Sequence, residues 1–270
     1  MNKKTKLILV LLILPIWYSY EYFYAREQMS LLGVPKADSF DIFVRVLRND
    51  GFMLGYSEFK KNPLWVTYKI NQTSPDTKSQ KRPRNFETDR RTFSMVSHQD
   101  YTHSGFDRGH LAPNSVISKV HGREAQLDTF LMTNISPQKA SFNRSIWKKL
   151  ETVARKHLVS LNSSIWVITG PIFSKDREVE YLKNSFVVVP DAFYKIFAMQ
   201  KNNKLYMLGF VIPQIAPKRD SLKNYIVSID EIEKVTGLNF FHKLDDNLEN
   251  RTEAKIDLIN WNLDNIDKIR

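Results

Sequence analysis

Short apolar segments alternate with polar ones along this chain, and their lengths predict strands. Residues 52–70 contain two apolar segments on either side of Pro63, so we expect two short strands with a break at the proline. Three further segments are rich in β-branched or aromatic residues and are bounded by Gly, Pro or Asn, which is typical of buried strands. They are residues 165–169, 186–189 and 206–212.

Helical spacing of apolar positions occurs between these strand segments. Residues 121–132 and 143–159 have it, and residues 230–236 predict a further short helix. Strands therefore precede and follow helices without strict alternation. This order favours the α+β class, with a central, mainly antiparallel sheet flanked by helices. Residues 71–92 are polar and basic and predict a long surface loop.

The N-terminus has the pattern of an export signal, because basic residues precede a short apolar run at residues 7–17. Eleven residues (7–17) fit the core of a signal peptide better than a full membrane span. The aromatic residues that follow are instead typical of a membrane boundary, and bulky Phe23 disfavours cleavage after Ala25. We favour an uncleaved anchor over a removed signal. In both cases the folded part is exported, either membrane-anchored outside the cytoplasm or secreted or periplasmic.

The charge of the chain restricts its partners. Forty Lys and Arg against 29 Asp and Glu give a net charge of +11. Such a balance suits a polyanion, either nucleic acid or an anionic membrane surface, although a solvated basic surface also explains it. The chain has no cysteine, which excludes disulfides, thiolate metal sites and cysteine nucleophiles.

One tetrapeptide, residues 107–110 (DRGH), combines groups that suit phosphate chemistry. His110 is of the residue type most often used as a general base near neutral pH, and Arg108 could neutralise charge on a phosphoryl group. Gly109 permits tight backbone geometry between them. A single string of this kind is more often structural than catalytic, so it carries little weight alone.

A second pattern adds a candidate metal site. Asn143, Trp147, Glu151 and Arg155 follow one another at intervals of four, so on a helix they form one row. The carbonyl oxygen of Asn143 is a hard ligand of the kind that Mg²⁺ accepts, and the carboxylate of Glu151 could hold water bound to the ion. Trp147 is expected to pack in the core.

Several long motifs resemble the DNA/RNA non-specific endonucleases of the ββα-metal, or His-Me finger, class. The resemblance covers roughly residues 52–247, and it implies a ββα-metal catalytic motif within the α+β fold. The motifs are DRGHLAPN (107–114), TNISPQKASFNRSIWKKLE (133–151), WVITGPIF (166–173), VVVPDAFYKI (187–196), GFVIPQ (209–214) and VSIDEIEKVTGLNFF (227–241).

The resemblance implies a role for each matching residue. His110 resembles the general base that activates the attacking water. Asn143 resembles the single direct protein ligand of the ion, and Glu151 the residue that binds metal-coordinated water. Arg108 and Arg155 resemble the positive groups around the scissile phosphate.

Three further assignments come from the same resemblance. Asn134 matches an asparagine that supports the site, and we include it in the catalytic set. Asp107 is expected to support local geometry. The upstream arginine of the family corresponds to Arg82 or Arg84, and the sequence leaves both open.

The predicted function is a sequence-non-specific endonuclease for DNA and RNA that uses one Mg²⁺, with Mn²⁺ as an alternative, and leaves 5′-phosphate ends. Two other interpretations stay open: a catalytically inactive, membrane-tethered nucleic-acid-binding protein, and a phosphodiesterase for another ester. A homodimer also stays open, and no obligate protein partner is evident. A basic cluster is expected to contact the phosphate backbone. It comprises Lys78, Lys81, Arg82, Arg84, Arg90 and Arg91.

The same reasoning predicts four regions along the chain. They are a signal peptide or membrane anchor over residues 1–25, a linker over 26–50, the nuclease domain over 51–250 and a C-terminal tail over 251–270.

Overall fold

The computed structural model describes residues 2–38, 42–74, 77, 80–183 and 185–269. At its centre is a seven-stranded sheet in the order β10-β9-β8-β7-β4-β3-β2, in which every neighbouring pair is antiparallel. The strands are β1 (Lys36–Ala37), β2 (Arg45–Arg48), β3 (Phe52–Ser57), β4 (Asn62–Asn71), β5 (Asp107–His110), β6 (Ile135–Gln138), β7 (Ser164–Ile172), β8 (Ala192–Lys201), β9 (Lys204–Pro213), β10 (Ile226–Val227) and β11 (Leu238–Asn239).

Helices cover both faces of this sheet. Their bounds are α1 (Lys3–Tyr20), α2 (Asn114–Asp128), α3 (Ala140–Phe142), α4 (Lys148–Lys156), α5 (Ile229–Thr236) and α6 (Asp246–Glu253). A π-helical turn, Asn143–Trp147, joins α3 to α4, and a second one, Glu21–Ala25, follows α1. The α+β class with a central antiparallel sheet is thereby confirmed.

Alternation along the strands divides the core into two layers, because successive side chains of a strand point to opposite faces. Phe193 and Phe197 of β8 pack with Trp147 and Leu150 in the larger cluster, on the face that α4 covers. Tyr194 and Ile196 face the other way and pack with Ile229 and Ile232 of α5. The central strands are therefore buried on both faces, which explains their almost continuous apolar sequence.

Two strand predictions need correction. The predicted break at Pro63 is absent, since Pro63 is the second residue of β4, a ten-residue strand, and lies opposite Tyr56 at a shift in register. A proline lacks an N–H group and is tolerated near the start of a strand or at such an irregularity. Residues 186–189 form only one isolated bridge, between Val188 and Tyr181. Val187 and Val189 are nevertheless buried in a small separate cluster, so the apolar run indicated burial without a strand.

The helix predictions are shifted rather than absent. The segment predicted over residues 121–132 corresponds to α2, which begins at Asn114 and ends at Asp128. Gly122 interrupts its helical backbone with a φ of +87°. The segment predicted over 143–159 begins three residues earlier, at Ala140, and its helix ends at Lys156. The short helix predicted over 230–236 is present as α5.

Both termini contact the sheet domain. Glu21 accepts hydrogen bonds from Arg48 of edge strand β2, and Leu31 lies in the core layer beside α5, within the segment predicted as a linker. Trp261 and Ile266, from the predicted tail, are fully buried in the larger cluster. Among the described helices, none combines the length and the apolar character that crossing a bilayer needs.

Candidate active site

The site is built on a small ββα unit beside the main sheet. Strand β5 pairs antiparallel with β6, so that Asp107 lies opposite Gln138 and His110 opposite Ile135. The helical segment of residues 140–156 follows directly. A Cβ at Gly109 would overlap the buried side chain of Gln138, so glycine at this position leaves room for that side chain. The tetrapeptide therefore forms a strand whose end presents His110.

A cleft with a volume of about 510 Å³ opens between this unit and the loop before it. Most of the residues predicted from the sequence line it together. They are Arg82, Arg108, His110, Asn143, Glu151 and Arg155. Residues more than seventy positions apart in the chain thus share one opening, as a catalytic site requires.

His110 lies between two aromatic rings. Its ring centroid is 5.3 Å from that of Phe86 and 4.9 Å from that of Phe130, edge-on in the second case. Nε2 is buried and has no hydrogen-bond partner in the described part of the chain. Burial, with a smaller contribution from Arg82, lowers the pKa of His110 to about 3. The imidazole is therefore neutral at physiological pH and has a nitrogen available to accept a proton.

The amide of Asn143 is oriented by Asp107. Asn143 Nδ2 donates to Asp107 Oδ2 at 3.0 Å, which leaves the amide oxygen Oδ1 for another ligand. Arg144 donates to the same carboxylate from Nε at 2.9 Å and from Nη2 at 2.6 Å. These hydrogen bonds outweigh the effect of burial and lower the pKa of Asp107. Asp107 thus supports local geometry, in agreement with the expectation from the sequence.

Asn143 is also the first residue of the π-helical turn. Such turns contain one residue more than an α-helical turn, which re-aims the side chains on either side, and they are frequent at functional sites. Asn143 and Glu151 nevertheless both line the cleft, as the spacing of four predicted. Trp147 is fully buried, as expected.

Glu151 has a partner that the sequence reasoning missed. Lys195, from β8, is 0% exposed, and its Nζ lies 3.6 Å from Glu151 Oε1 and 4.3 Å from the ring centroid of Trp147. Burial raises the pKa of Glu151 and lowers that of Lys195, while their attraction opposes both shifts. The available signal was a lysine inside the apolar run AFYKIF (192–197), at a position that alternates with Phe193 and Phe197.

The arginines differ in how they are held. Arg108 Nη2 donates to the carbonyl oxygen of His98 at 2.7 Å and to Thr102 Oγ1 at 3.0 Å, so this group is fixed beside the cleft. Arg82 is exposed and lines the cleft, with its guanidinium 5.3 Å from the ring centroid of Phe130. Arg84 does not line it. The geometry therefore favours Arg82 as the upstream arginine.

Asn134 braces the backbone and does not line the cleft. It is 0% exposed; its Oδ1 accepts from Ala112 N, and its Nδ2 donates to the carbonyl oxygens of Ala112 and Thr129. The two bonds to Ala112 fix the chain just after His110, and the third holds the residue that follows α2. This arrangement agrees with a supporting role for Asn134 and gives no support for its inclusion in the catalytic set.

The basic cluster expected to contact a phosphate backbone is not uniform. Lys78 lies outside the described residues. Arg91 pairs with buried Asp89 at 2.7 Å and donates to Asn49, so it serves the fold. Lys81 and Arg90 are exposed and remain available to a ligand.

The donor set at the cleft suits a hard divalent cation. It offers the amide oxygen of Asn143 and the carboxylate of Glu151, and oxygen donors of this kind bind Mg²⁺ or Mn²⁺.

Comparison with known proteins places this site in context. The family model described as DNA/RNA non-specific endonuclease matches residues 37–247. A nuclease from Nostoc sp. is 31% identical over 218 residues, covering 76% of each chain. Nuclease C1 of Cunninghamella echinulata is 37% identical over 156 residues, which cover 54% of this chain and 61% of the fungal protein.

A solved structure has a similar fold. The crystal structure of the EndoG/EndoGI complex matches with a TM-score of 0.67 and 27% identity, covering 77% of this chain and 90% of that one. Human mitochondrial endonuclease G is 28% identical over 204 residues, covering 71% of this chain and 67% of its own length.

Proposed function

This chain belongs to the DNA/RNA non-specific endonuclease family, and from that premise we propose that it hydrolyses phosphodiester bonds of both DNA and RNA with one bound Mg²⁺. One observation carries the proposal. A neutral histidine, an oriented asparagine and a carboxylate all line one cleft. The net charge of +11 suits a polyanionic substrate.

The proposed mechanism assigns one task to each side chain. Asn143 Oδ1 would bind the ion directly, and Glu151 would hold the water around it. The bound ion supplies neutralisation of charge on the phosphate and on the departing oxygen. An unprotonated ring nitrogen of His110 would take the proton from the attacking water as the water oxygen bonds to phosphorus. The bond from phosphorus to the 3′-oxygen breaks, giving a 5′-phosphate and, after protonation, a 3′-hydroxyl.

Lack of sequence preference follows from what lines the cleft. Arg82, Arg108 and Arg155 carry positive charge suited to phosphate groups, and contacts to phosphate and sugar carry no sequence information. The metal is proposed as Mg²⁺, and Mn²⁺ is expected to substitute because it accepts the same oxygen donors.

The decisive test compares cleavage with binding. Purified full-length protein is mixed with supercoiled plasmid, linear DNA and RNA, with Mg²⁺ or with chelator. We expect all three substrates to be cut in Mg²⁺ and to stay intact in chelator, with 5′-phosphates that a phosphatase removes. Salt-sensitive binding without cleavage of any substrate would instead support the inactive nucleic-acid-binding alternative.

We also propose that the N-terminal segment directs the domain out of the cytoplasm and stays attached. Large apolar side chains of residues 11–24 are mostly exposed, as expected of a segment that contacts lipid. Glu21 is 8% exposed and pairs with Arg48 at 2.9 Å, so cleavage after Ala25 would remove a group that binds the sheet edge. Membrane fractionation and intact mass test this. A mature chain that lacks residues 1–25 would refute attachment.

A further inference from the structure

Helices α5 and α6 bring three carboxyl groups together, on the face of the sheet opposite α4. Asp230 and Glu233 lie about one turn apart on α5, and Glu253 is the last residue of α6. One carboxylate oxygen of each lies within 4.8 Å of the others. The cluster is thus formed by tertiary packing and is separate from the cleft.

The side chain that α6 contributes gives a second, independent observation. Glu253 is only 3% exposed, and its Oε1 has no hydrogen-bond partner in the described ranges. Among the described residues, none of the ion pairs involves Asp230, Glu233 or Glu253. A buried carboxylate without a counter-charge is costly, so native structures normally provide it with a partner.

The charged groups that act on Glu253 are other carboxylates. Burial and then repulsion by Glu233, Glu249 and Asp230 raise the pKa of Glu253 to about 8. Glu233 uses one oxygen to accept a hydrogen bond from Phe240 N at 2.8 Å, which fixes its side chain. Its other oxygen is left for a ligand.

The chemistry of the donors selects the ligand. Carboxylate oxygens bind Ca²⁺ in variable geometry, whereas Mg²⁺ demands a near-ideal octahedron and prefers few protein ligands. Asp230 is exposed and leaves one side open for entry of the ion and for water ligands. Three carboxylates from two helices, one of them buried, therefore match a calcium site.

We propose that Asp230, Glu233 and Glu253 bind a structural Ca²⁺ that joins α6 to α5. The bound ion replaces repulsion between the helices with a shared attraction. It also secures the start of the C-terminal segment, whose Trp261 and Ile266 complete the core on the other face of the sheet.

The test measures calcium binding and thermal unfolding of the full chain after removal of metals. We expect one Ca²⁺ to bind by calorimetry, and the Tm to rise by about 5 °C at a saturating concentration. Asn143→Ala should keep this response, since the site is separate from the cleft. Loss of the response in Asn143→Ala would place the ion in the active site and overturn the proposal.

Substitutions in the cluster test whether the three carboxyl groups bind a cation or instead share a proton. Glu253→Gln should abolish the calcium response while leaving the calcium-free Tm unchanged or higher, because repulsion is relieved. Asp230→Asn, at an exposed position, should weaken binding about tenfold without loss of folding, and exposed Glu178→Gln is the matched control. Absence of calcium binding in the parent chain, or a full response in both cluster variants, would overturn the proposal.

Discussion

Glu151, which is partly buried in the cleft, and Glu253, which is buried, are two carboxyl groups on opposite faces of one sheet, and they differ in their partners. Glu151 lies beside the buried ammonium of Lys195, whereas the charges that act on Glu253 are those of neighbouring carboxylates. In both, burial raises the pKa, but only at Glu151 does a fixed positive charge oppose the rise. A carboxylate with an internal counter-charge can be held ready for catalysis, and one without it requires an external cation or a proton.

Removing the charge of Glu151 tests the first half of this comparison and has the largest expected effect. In Glu151→Gln we expect the cleavage rate to fall about 100-fold, since the water around the ion loses its carboxylate. The free energy of unfolding should also fall by about 3 kcal/mol, because Lys195 is left buried without a charged partner. Steady-state cleavage and urea unfolding measure these effects, with Glu178→Gln as control. An unchanged rate would contradict the role of Glu151.

Removing Lys195 as well sharpens the comparison. Lys195→Met alone should lower the cleavage rate about tenfold, because Glu151 loses the group that holds it. In the double variant with Glu151→Gln, most of the lost unfolding free energy should return, while cleavage should not. A double-mutant cycle in urea measures the coupling. Additive effects of the two substitutions on stability would show that the two side chains do not act as a pair.

The pH dependence of stability tests the second half of the comparison. In chelator, Glu253 has a folded-state pKa of about 8 against an ordinary value near 4.5, so the folded chain holds its proton more tightly. Its contribution to stability is complete below about pH 4.5 and is lost as the pH rises through about 8. Between pH 5 and 8 the free energy of unfolding should therefore fall by about 3.5 kcal/mol more in the parent chain than in Glu253→Gln. Parallel curves of unfolding free energy against pH for the two proteins would contradict repulsion between Glu253 and the neighbouring carboxylates.

The smallest expected effect concerns the arginines at the edge of the cleft. Arg82→Ala should raise the KM for DNA about fivefold, because Arg82 lines the cleft. The slope of the logarithm of the DNA-binding constant against the logarithm of salt concentration should become less steep by about one. Arg84→Ala, two residues away, should change KM less than twofold. Equal effects of the two substitutions would show that the cleft does not distinguish them.

The sequence predicted the groups that share the cleft by two routes. The helix row placed Asn143 and Glu151 together, and the family resemblance supplied His110; all three line the cleft. Lys195 and Glu253 were missed since their meaning depends on tertiary contacts. Lys195 meets Glu151 only when β8 packs under α4, and Glu253 meets α5 only when α6 folds back.

The fold was also predicted only in part. Apolar runs predicted β3, β4, β7 and β9 of the central sheet but not β8. They also could not distinguish a buried irregular segment at residues 186–189 from a strand, since both bury the same side chains. The π-helical turn at Asn143 also escaped prediction, because one extra residue in a helical turn leaves the apolar spacing nearly unchanged. The choice between Arg82 and Arg84 required the structure, because both lie in a long loop whose path the sequence does not determine.

The histidine of the cleft gives the most direct test of the account. Cleavage of plasmid DNA and RNA is measured in saturating Mg²⁺ for the parent chain, for His110→Ala and for His103→Asn, which changes an exposed histidine at a positive φ that asparagine tolerates. We predict that His110→Ala loses at least about 100-fold in rate and keeps salt-sensitive DNA binding, while His103→Asn stays fully active. Cleavage by His110→Ala at the parental rate would contradict the assignment of His110 as the general base.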